Sequence, residues 1–225
     1  MPSLCVNSPV YRVSAAGLRA KPYSLSPGPF KGVPLEVYLV KGMSNSYLTS
    51  DGVLIDAGAS VKDVLRAAGQ HGIKVRYLFI THYHVDHVRR AAEIAEALGC
   101  RVVAPELDSD VIEGRSPPPG GLAGLFHRLL RVRPVRVDVK VRDGDEVEGY
   151  RAVATPGHTP GSTAYVKEGV MFSGDAVLSS RGRPVPPPRR YNLDQARAEE
   201  SFRRLLALRP GVIYPGHGEP IRLQP

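Results

Sequence analysis

One short segment of the chain concentrates side chains from which proteins build metal centres. Residues 81–87 are Thr-His-Tyr-His-Val-Asp-His, so three imidazoles and one carboxylate lie close together. Neutral imidazole and carboxylate are suitable ligands for zinc and similar divalent ions. An apolar run at 77–80 precedes the segment and a helical pattern follows it, which predicts a turn between a strand and a helix. In such a turn His82 and His84 can face one position, while Asp86 and His87 reach a second position nearby.

Three isolated residues farther along the chain have the same chemistry. His158, Asp175 and His217 each follow a predicted strand and are flanked by Gly and Pro, which suit a sharply turning backbone. The candidate metal ligands are therefore His82, His84, Asp86, His87, His158, Asp175 and His217. The other two histidines, His71 and His127, lie on predicted helices, and we interpret them as ordinary surface residues.

The surrounding pattern predicts the elements that must position these side chains. Strands are predicted at 35–41, 46–49, 53–55, 77–80, 101–104, 135–141, 146–147, 151–154, 163–166, 170–172 and 212–214. Helices are predicted at 61–70, 85–98, 122–130 and 194–208. Residues 1–34 form an irregular lead-in with room for one strand, and 105–134 and 183–190 are loop excursions near the site. Each half runs strands first and then helix and strand, which favours two sheets packed face to face with helices outside.

The order of these residues resembles the metallo-β-lactamase superfamily from about residue 35 to residue 219. Asp56, in Leu-Ile-Asp-Ala-Gly at 54–58, matches the first motif of that superfamily. The resemblance implies an α/β fold, a four-layer αββα sandwich, formed by residues 1–225 as a single domain. The site would lie at one edge of the two sheets. It implies two divalent metal ions, zinc first, with iron or manganese as alternatives.

The resemblance also implies a role for each candidate residue. It assigns three ligands to each ion: His82, His84 and His158 to the first, and Asp86, His87 and His217 to the second. Asp175 would bridge the ions, and Asp56 would orient a ligand from behind, as ligating histidines require. Asp86 and Asp56 are the candidate catalytic carboxylates.

One position departs from the superfamily pattern. The pair at 89–90 is commonly Gly-Gly in these proteins, and here it is Arg89-Arg90. The arginines either bring positive charge to the mouth of the site or are solvated residues on the helix.

Two metal ions about 3.5–4 Å apart can share an activated water, so hydrolysis is the expected reaction. No Gly-x-Ser-x-Gly nucleophile motif occurs in the chain. The first hypothesis is a small enzyme similar to glyoxalase II or the lactonases, acting on an ester, thioester or lactone. The sequence ends eight residues after His217, so we expect no C-terminal helical domain to hold glutathione.

Three alternatives remain open. A phosphodiesterase similar to the transfer-RNA 3′-processing nucleases fits the ligands, although no substrate-gripping insertion is evident. An oxidoreductase similar to the persulfide dioxygenases would bind one iron through His82, His158 and Asp175. A metal-binding module without catalysis is disfavoured by the complete ligand set.

Bulk composition narrows the class of protein. The hydrophobic fraction is 42% and the charged fraction 23%, as in globular domains. The start of the chain lacks the pattern of a secretion signal, and the two cysteines, Cys5 and Cys100, are far apart, so we expect a cytoplasmic protein without disulfides. The net charge of +8 is either a solvated basic surface or a preference for an anionic small-molecule substrate. Scattered arginines disfavour nucleic acid as the partner.

The apolar pattern at 122–130 needs a burial partner. Leu122, Leu125, Phe126 and Leu129 form one face of the predicted helix, directly after the Pro-Pro-Pro-Gly-Gly stretch. We expect this helix to cover the metal site and to supply an apolar wall for the substrate.

Overall fold

The first half of the chain forms a mixed sheet whose spatial order follows the chain. The computed structural model describes residues 22–23, 35–119, 122–130 and 132–223. The strands are β1 (Pro22–Tyr23), β2 (Val37–Lys41), β3 (Asn45–Thr49), β4 (Val53–Ile55), β5 (Tyr77–Phe79), β6 (Arg101–Pro105) and β7 (Val139–Val141). β1 to β4 pair antiparallel, and β4 to β7 pair parallel. The carboxyl ends of the parallel strands therefore meet at one edge, where open α/β sheets place their ligands.

Helices connect and cover this sheet. They are α1 (Val61–His71), α2 (Val85–Val88), α3 (Ala91–Leu98), α4 (Glu106–Ile112) and α5 (Leu122–Leu129). The Ser60 side chain accepts a bond from the Asp63 N–H and so caps α1. Gly99 ends α3 with φ 61°, the left-handed conformation that glycine adopts without strain.

The second half forms another mixed sheet, in the order β15-β14-β11-β10-β9-β8. Its strands are β8 (Glu146–Val147), β9 (Tyr150–Ala154), β10 (Thr163–Lys167), β11 (Val170–Gly174), β14 (Val212–Pro215) and β15 (Ile221–Arg222). A separate hairpin, β12 (Leu178–Ser180) and β13 (Arg183–Val185), precedes a 3₁₀ turn at Arg189–Tyr191 and α6 (Gln195–Ala207).

Three apolar cores separate four layers. On β2 and β5, alternate residues such as Val37 and Phe79 face the second sheet, where they meet Tyr165 and Phe172. The intervening residues, such as Leu78, face the helices on the other side of the first sheet. A third core joins the second sheet to α6. This is the expected αββα sandwich.

The structure corrects several predicted elements. The helix predicted over 85–98 is broken at Arg89–Arg90. The Asp86 carbonyl accepts a bond from the Ser44 hydroxyl at 2.9 Å, and the Arg90 N–H bonds to the Ala57 carbonyl at 3.3 Å, so tertiary contacts replace the helical ladder. The strand predicted over 135–141 covers only Val139–Val141.

Other elements were not predicted. Helix α4 lies inside the first segment that we expected to be a loop excursion, 105–134, and β13 lies inside the second, 183–190, where it pairs with β12 just before that segment. Strand β15 adds a final edge strand. Most of the 1–34 lead-in lies outside the described residues, apart from β1. No helix in the described ranges is long and apolar enough to cross a membrane.

Candidate metal centre

The seven candidate ligands come together where strands of both sheets end. His82 and His84 follow β5, and Asp86 and His87 lie on α2 directly after them. The remaining three follow β9, β11 and β14, respectively: His158, Asp175 and His217. Their ligand atoms form three overlapping groups, each with all its atoms within 4.8 Å of one another. The groups are His82–His84–His158, His82–His87–Asp175 and Asp86–His87–His217.

Asp175 lies at the centre of the cluster. Its Oδ1 is 3.3 Å from His87 Nε2, and its Oδ2 is 3.4 Å from His158 Nε2 and 3.6 Å from His217 Nε2. One carboxylate thus reaches histidines from both sets of ligands. This is the placement that a bridging ligand requires.

The donor atoms fit a bound cation. Nε2 of His82, His84, His87 and His158 and Oδ1 of Asp175 are buried, and none has a hydrogen-bond partner among the described residues. Leaving a buried polar atom without a partner costs about 1–3 kcal/mol, and so many at one place need a common partner. Divalent metal ions bind imidazole nitrogen and carboxylate oxygen together, so the residues present suit such ions.

Asp56 orients two of these histidines through their Nδ1 atoms, His87 directly and His82 through Thr81. Its Oδ2 lies 2.7 Å from His87 Nδ1, and its carboxylate also accepts bonds from the Thr81 N–H and hydroxyl. Because the single Thr81 hydroxyl proton goes to Asp56, the oxygen can accept a bond from His82 Nδ1 at 3.0 Å. Both rings therefore present Nε2 to the centre. Asp56 has φ 59°, a conformation that Asp tolerates better than most residues.

Asn192 holds a third histidine, and the sequence analysis missed it. Its Oδ1 lies 2.9 Å from His158 Nδ1, while its Nδ2 donates to the Pro187 carbonyl and to Gln195. Because the amide oxygen can only accept, His158 carries its proton on Nδ1 and leaves Nε2 free. Asn192 follows the Pro-rich segment, so the sequence alone does not indicate which ring it would meet.

Asp108 is a second residue that the sequence analysis missed. Its fully buried carboxylate accepts bonds from the Tyr83 N–H at 3.1 Å, the Gly161 N–H at 2.7 Å and the Thr159 hydroxyl at 2.7 Å. Tyr83 lies between two ligand histidines, and Thr159 directly follows His158. Asp108 therefore joins the two turns that carry the first ligand group. Burial raises the pKa of this carboxyl to about 6.

Burial and charge set the protonation of the cluster. Burial lowers the pKa of His82 well below its ordinary value and that of His84 to about 3, and neighbouring histidines add to both effects. His87 differs: burial alone would lower its pKa, but Asp56, Asp175 and Asp86 raise it well above the usual range. Burial would raise the pKa of Asp175, but the neighbouring His87 and His158 hold that pKa well below its ordinary value. The cluster thus concentrates negative charge that a proton or a metal cation can neutralise.

Glycine is required where the backbones approach the cluster. A Cβ on Gly216 would lie 2.2 Å from Asp175 Oδ1 and 2.7 Å from His87 Cε1. Contacts this short do not occur, so a side chain at Gly216 would displace the candidate ligands. The glycine that directly precedes His217 is therefore required because no side chain fits at this position.

Two predicted surface histidines are partly buried. The His71 ring stacks on Tyr38 at 3.7 Å between centroids. The His127 ring on α5 lies 6.3 Å from the ring of Tyr83, which in turn packs 5.1 Å from His84. Helix α5 also contacts α2 and the 3₁₀ turn, so it lies beside the cluster. Phe126 is 45% exposed.

The two arginines at 89–90 have different environments. Arg90 pairs with Glu93 at 2.9 Å, whereas Arg89 approaches the sulfur of Met43 at 3.6 Å. The backbone of Arg90 nevertheless contacts the 54–58 motif, through its bond to Ala57. The close backbone approach at this helix start is therefore retained without Gly-Gly.

Several known proteins are similar to this chain in sequence. The family model of the metallo-beta-lactamase superfamily matches residues 39–217. A probable metallo-hydrolase of Bacillus subtilis, YflN, is 28% identical over 200 residues, which are 75% of this chain and 76% of that protein. A hydroxyacylglutathione hydrolase of Anaeromyxobacter dehalogenans is 32% identical over 174 residues, and the match spans 74% of this chain but 57% of that enzyme.

Two solved structures have a similar fold. The di-iron-bound form of the protein TTHA1623 has a TM-score of 0.62 and 28% identity, covering 89% of this chain and 94% of that one. BJP-1, a subclass B3 metallo-beta-lactamase of Bradyrhizobium japonicum, also has a TM-score of 0.62 and 28% identity, covering 80% of this chain and 74% of that one. The family match spans most of the chain and includes every candidate ligand, so the chain belongs to the metallo-beta-lactamase superfamily.

Proposed function

We propose that the protein is a dinuclear metal-dependent hydrolase of a small ester, thioester or lactone. The observation that carries this proposal is the central position of Asp175, whose two oxygens face histidines of both ligand sets. His82, His84 and His158 would hold one divalent ion, and Asp86, His87 and His217 the other. Two such ions, zinc by preference, would supply an activated water and polarise the scissile carbonyl.

The protein's own groups orient the ligands for this reaction. Asp56, Thr81 and Asn192 each hold one ring through Nδ1 and so aim Nε2 at the centre. Such outer partners commonly change metal affinity or activity by about 10–100-fold. In the reaction, the oxygen of water bonds to the acyl carbon, the carbon–oxygen or carbon–sulfur bond breaks, and the leaving group takes up a proton.

The similar proteins support a hydrolase in general. The acyl substrate is part of our proposal. A hydroxyacylglutathione hydrolase and a probable metallo-hydrolase are among the similar proteins. The chain spans 57% of the length of that hydroxyacylglutathione hydrolase, and so we propose a small acyl substrate without assigning glutathione. A cytoplasmic location stays a prediction from the sequence.

Elemental analysis of protein purified without added metal tests the proposal together with a substrate panel. The panel contains a short-chain ester, a thioester, a lactone and a phosphodiester, and His84→Ala is the inactive control. Two metals per chain and turnover of an acyl substrate are expected. One iron per chain with no hydrolysis would support the dioxygenase alternative, and phosphodiester cleavage alone would support the nuclease.

A further inference from the structure

A single segment runs alongside the candidate centre and contacts both of its halves. It comprises residues 176–193, which follow Asp175 and lead into α6; we call it the basic segment. Near its start, the Ser179 N–H donates to the His217 carbonyl at 3.1 Å. At its end, the Leu193 N–H donates to the His158 carbonyl at 3.4 Å, and Asn192 bonds to the His158 ring. The segment therefore forms part of the rim of the site.

The basic segment carries positive charge without internal compensation. It contains four arginines and no aspartate or glutamate: Arg181, Arg183, Arg189 and Arg190. All four are exposed, and none forms an ion pair with a carboxylate in the described part of the chain. Several arginines elsewhere are paired, for example Arg142 with Glu106 at 2.6 Å.

Strand pairing, prolines and a hydrogen bond restrict the backbone that carries these arginines. The β12–β13 hairpin pairs Ser180 with Arg183, and the segment contains four prolines, which restrict the backbone. Pro187 is buried, and its carbonyl accepts a bond from Asn192. The guanidinium of Arg190 lies 4.8 Å from the Tyr191 ring centroid, a cation–π contact that positions it.

Arg189 and Arg190 lie close enough to the candidate metal ligands for one small molecule to reach both. Arg189 and Arg190 lie on the 3₁₀ turn that directly precedes Asn192, whose amide oxygen is 2.9 Å from His158 Nδ1. A 3₁₀ turn rises about 2 Å per residue, so the turn adds only about 6 Å of separation. A molecule with its acyl carbon at the cluster can thus extend to this turn.

We propose that the natural substrate is a small ester or thioester that carries a phosphate group, and that Arg189 and Arg190 bind this phosphate. The proposal rests on the proposed hydrolase function and names its substrate class. Guanidinium groups bind phosphate with two parallel hydrogen bonds, and two adjacent arginines without carboxylate partners match the double negative charge of a phosphate monoester. Arg181 and Arg183 add to the positive field along the rim and favour the encounter with an anion.

The experiment compares two thioesters of the same acyl group, one of pantetheine and one of phosphopantetheine, which differ only in the phosphate. Wild-type protein in its purified metal state is compared with the Arg189→Gln/Arg190→Gln double variant. The control double variant, Arg101→Gln/Arg151→Gln, removes the same charge near the amino-terminal ends of β6 and β9, whereas the candidate ligands follow the carboxyl ends of strands. Both kcat and KM are measured at low and high salt.

For the wild type, we expect KM to be lower for the phosphorylated thioester. The Arg189/Arg190 variant should raise that KM by about tenfold or more, which corresponds to about 1.4 kcal/mol, with kcat within about twofold. The KM of the neutral thioester should not change, and the control variant should behave as wild type. High salt should reduce the phosphate preference. An equal rise in KM for both thioesters, or the same effect in the control variant, would overturn the proposal.

A second readout separates this proposal from the hydrolase function. Calorimetry measures binding of free phosphopantetheine and free pantetheine to the same three proteins. If neither thioester is hydrolysed but phosphopantetheine binds more tightly than pantetheine and only through Arg189 and Arg190, the phosphate site stands and the acyl-hydrolase function fails. If both thioesters are hydrolysed and the phosphate adds no affinity, the hydrolase stands and the phosphate site is wrong.

Discussion

Replacing Asp108 by asparagine tests whether a buried carboxylate maintains the metal site at a cost in stability. Burial raises the pKa of Asp108 from 3.8 to about 6, although Thr159, Gly161 and Tyr83 all donate to it. Because one pKa unit corresponds to about 1.4 kcal/mol, ionised Asp108 destabilises the metal-free fold by about 3 kcal/mol at neutral pH. The destabilisation is absent below pH 3.8, where Asp108 is protonated in both the folded and the unfolded chain, and it reaches its full size as the pH rises through about 6.

The Asp108→Asn variant removes this charge but keeps the shape. Its amide nitrogen cannot accept a bond, so one N–H, that of Gly161, faces another donor at a cost of about 1–3 kcal/mol. At pH 7.5 the two effects offset, and the metal-free variant should be as stable as wild type or up to about 2 kcal/mol more stable. At pH 4 wild type should be the more stable by about 1–3 kcal/mol. Urea denaturation of metal-free protein at both pH values measures this difference.

Metal affinity should fall in the Asp108→Asn variant, although the metal-free variant is at least as stable as wild type at pH 7.5. Without the carboxylate, the Gly161 N–H loses its acceptor and the turns that carry His84 and His158 lose a nearby negative charge, so affinity should fall by about 10–100-fold. Titration against a competing chelator measures it. Asp138→Asn is the control, because Asp138 accepts a bond from the Val102 N–H near the opposite end of β6. The control should keep wild-type metal affinity. An Asp108→Asn variant with wild-type affinity would falsify the reasoning.

Four further substitutions test the ligands, the residues that support them and the neighbouring helix α5. Asp175→Ala should abolish binding of both metals and all activity, and a variant that still holds two metals by elemental analysis would contradict the bridging role. Asp56→Asn should lower metal affinity by about 10–100-fold, to be measured by the same chelator titration, because the amide cannot satisfy every donor that the carboxylate holds. Asn192→Leu removes the acceptor for His158 Nδ1 and should weaken one metal site while the other keeps its affinity; unchanged occupancy of both would refute its role. Phe126→Ala should alter KM or selectivity in the ester, lactone and phosphodiester panel with unchanged metal content, whereas lowered thermal stability with unchanged selectivity would mean that α5 is only structural.

Local sequence was sufficient for much of the fold and for the identity of the candidate ligands. The helix start at Ser60 and its neighbour strand at 53–55 follow from capping and hydrophobic alternation, which act over a few residues. The seven ligand candidates were recognised because three imidazoles and one carboxylate lie within residues 81–87, and because His158, Asp175 and His217 each follow a predicted strand and are flanked by Gly and Pro. Their identification needed no knowledge of which strands pair.

The tertiary structure decided which side chains support those ligands. Asp108 and Asn192 are ordinary polar residues in the sequence, and they reach the cluster only because strands of two sheets end at one edge. The break at Arg89–Arg90 likewise depends on bonds to Ala57 and Ser44, which lie distant in the chain. Periodicity reports which face of an element is apolar, whereas a hydrogen bond between distant segments depends on how the sheets pack. The sequence by itself thus determined the chemistry available to this protein, and packing of the two halves determined how that chemistry is oriented.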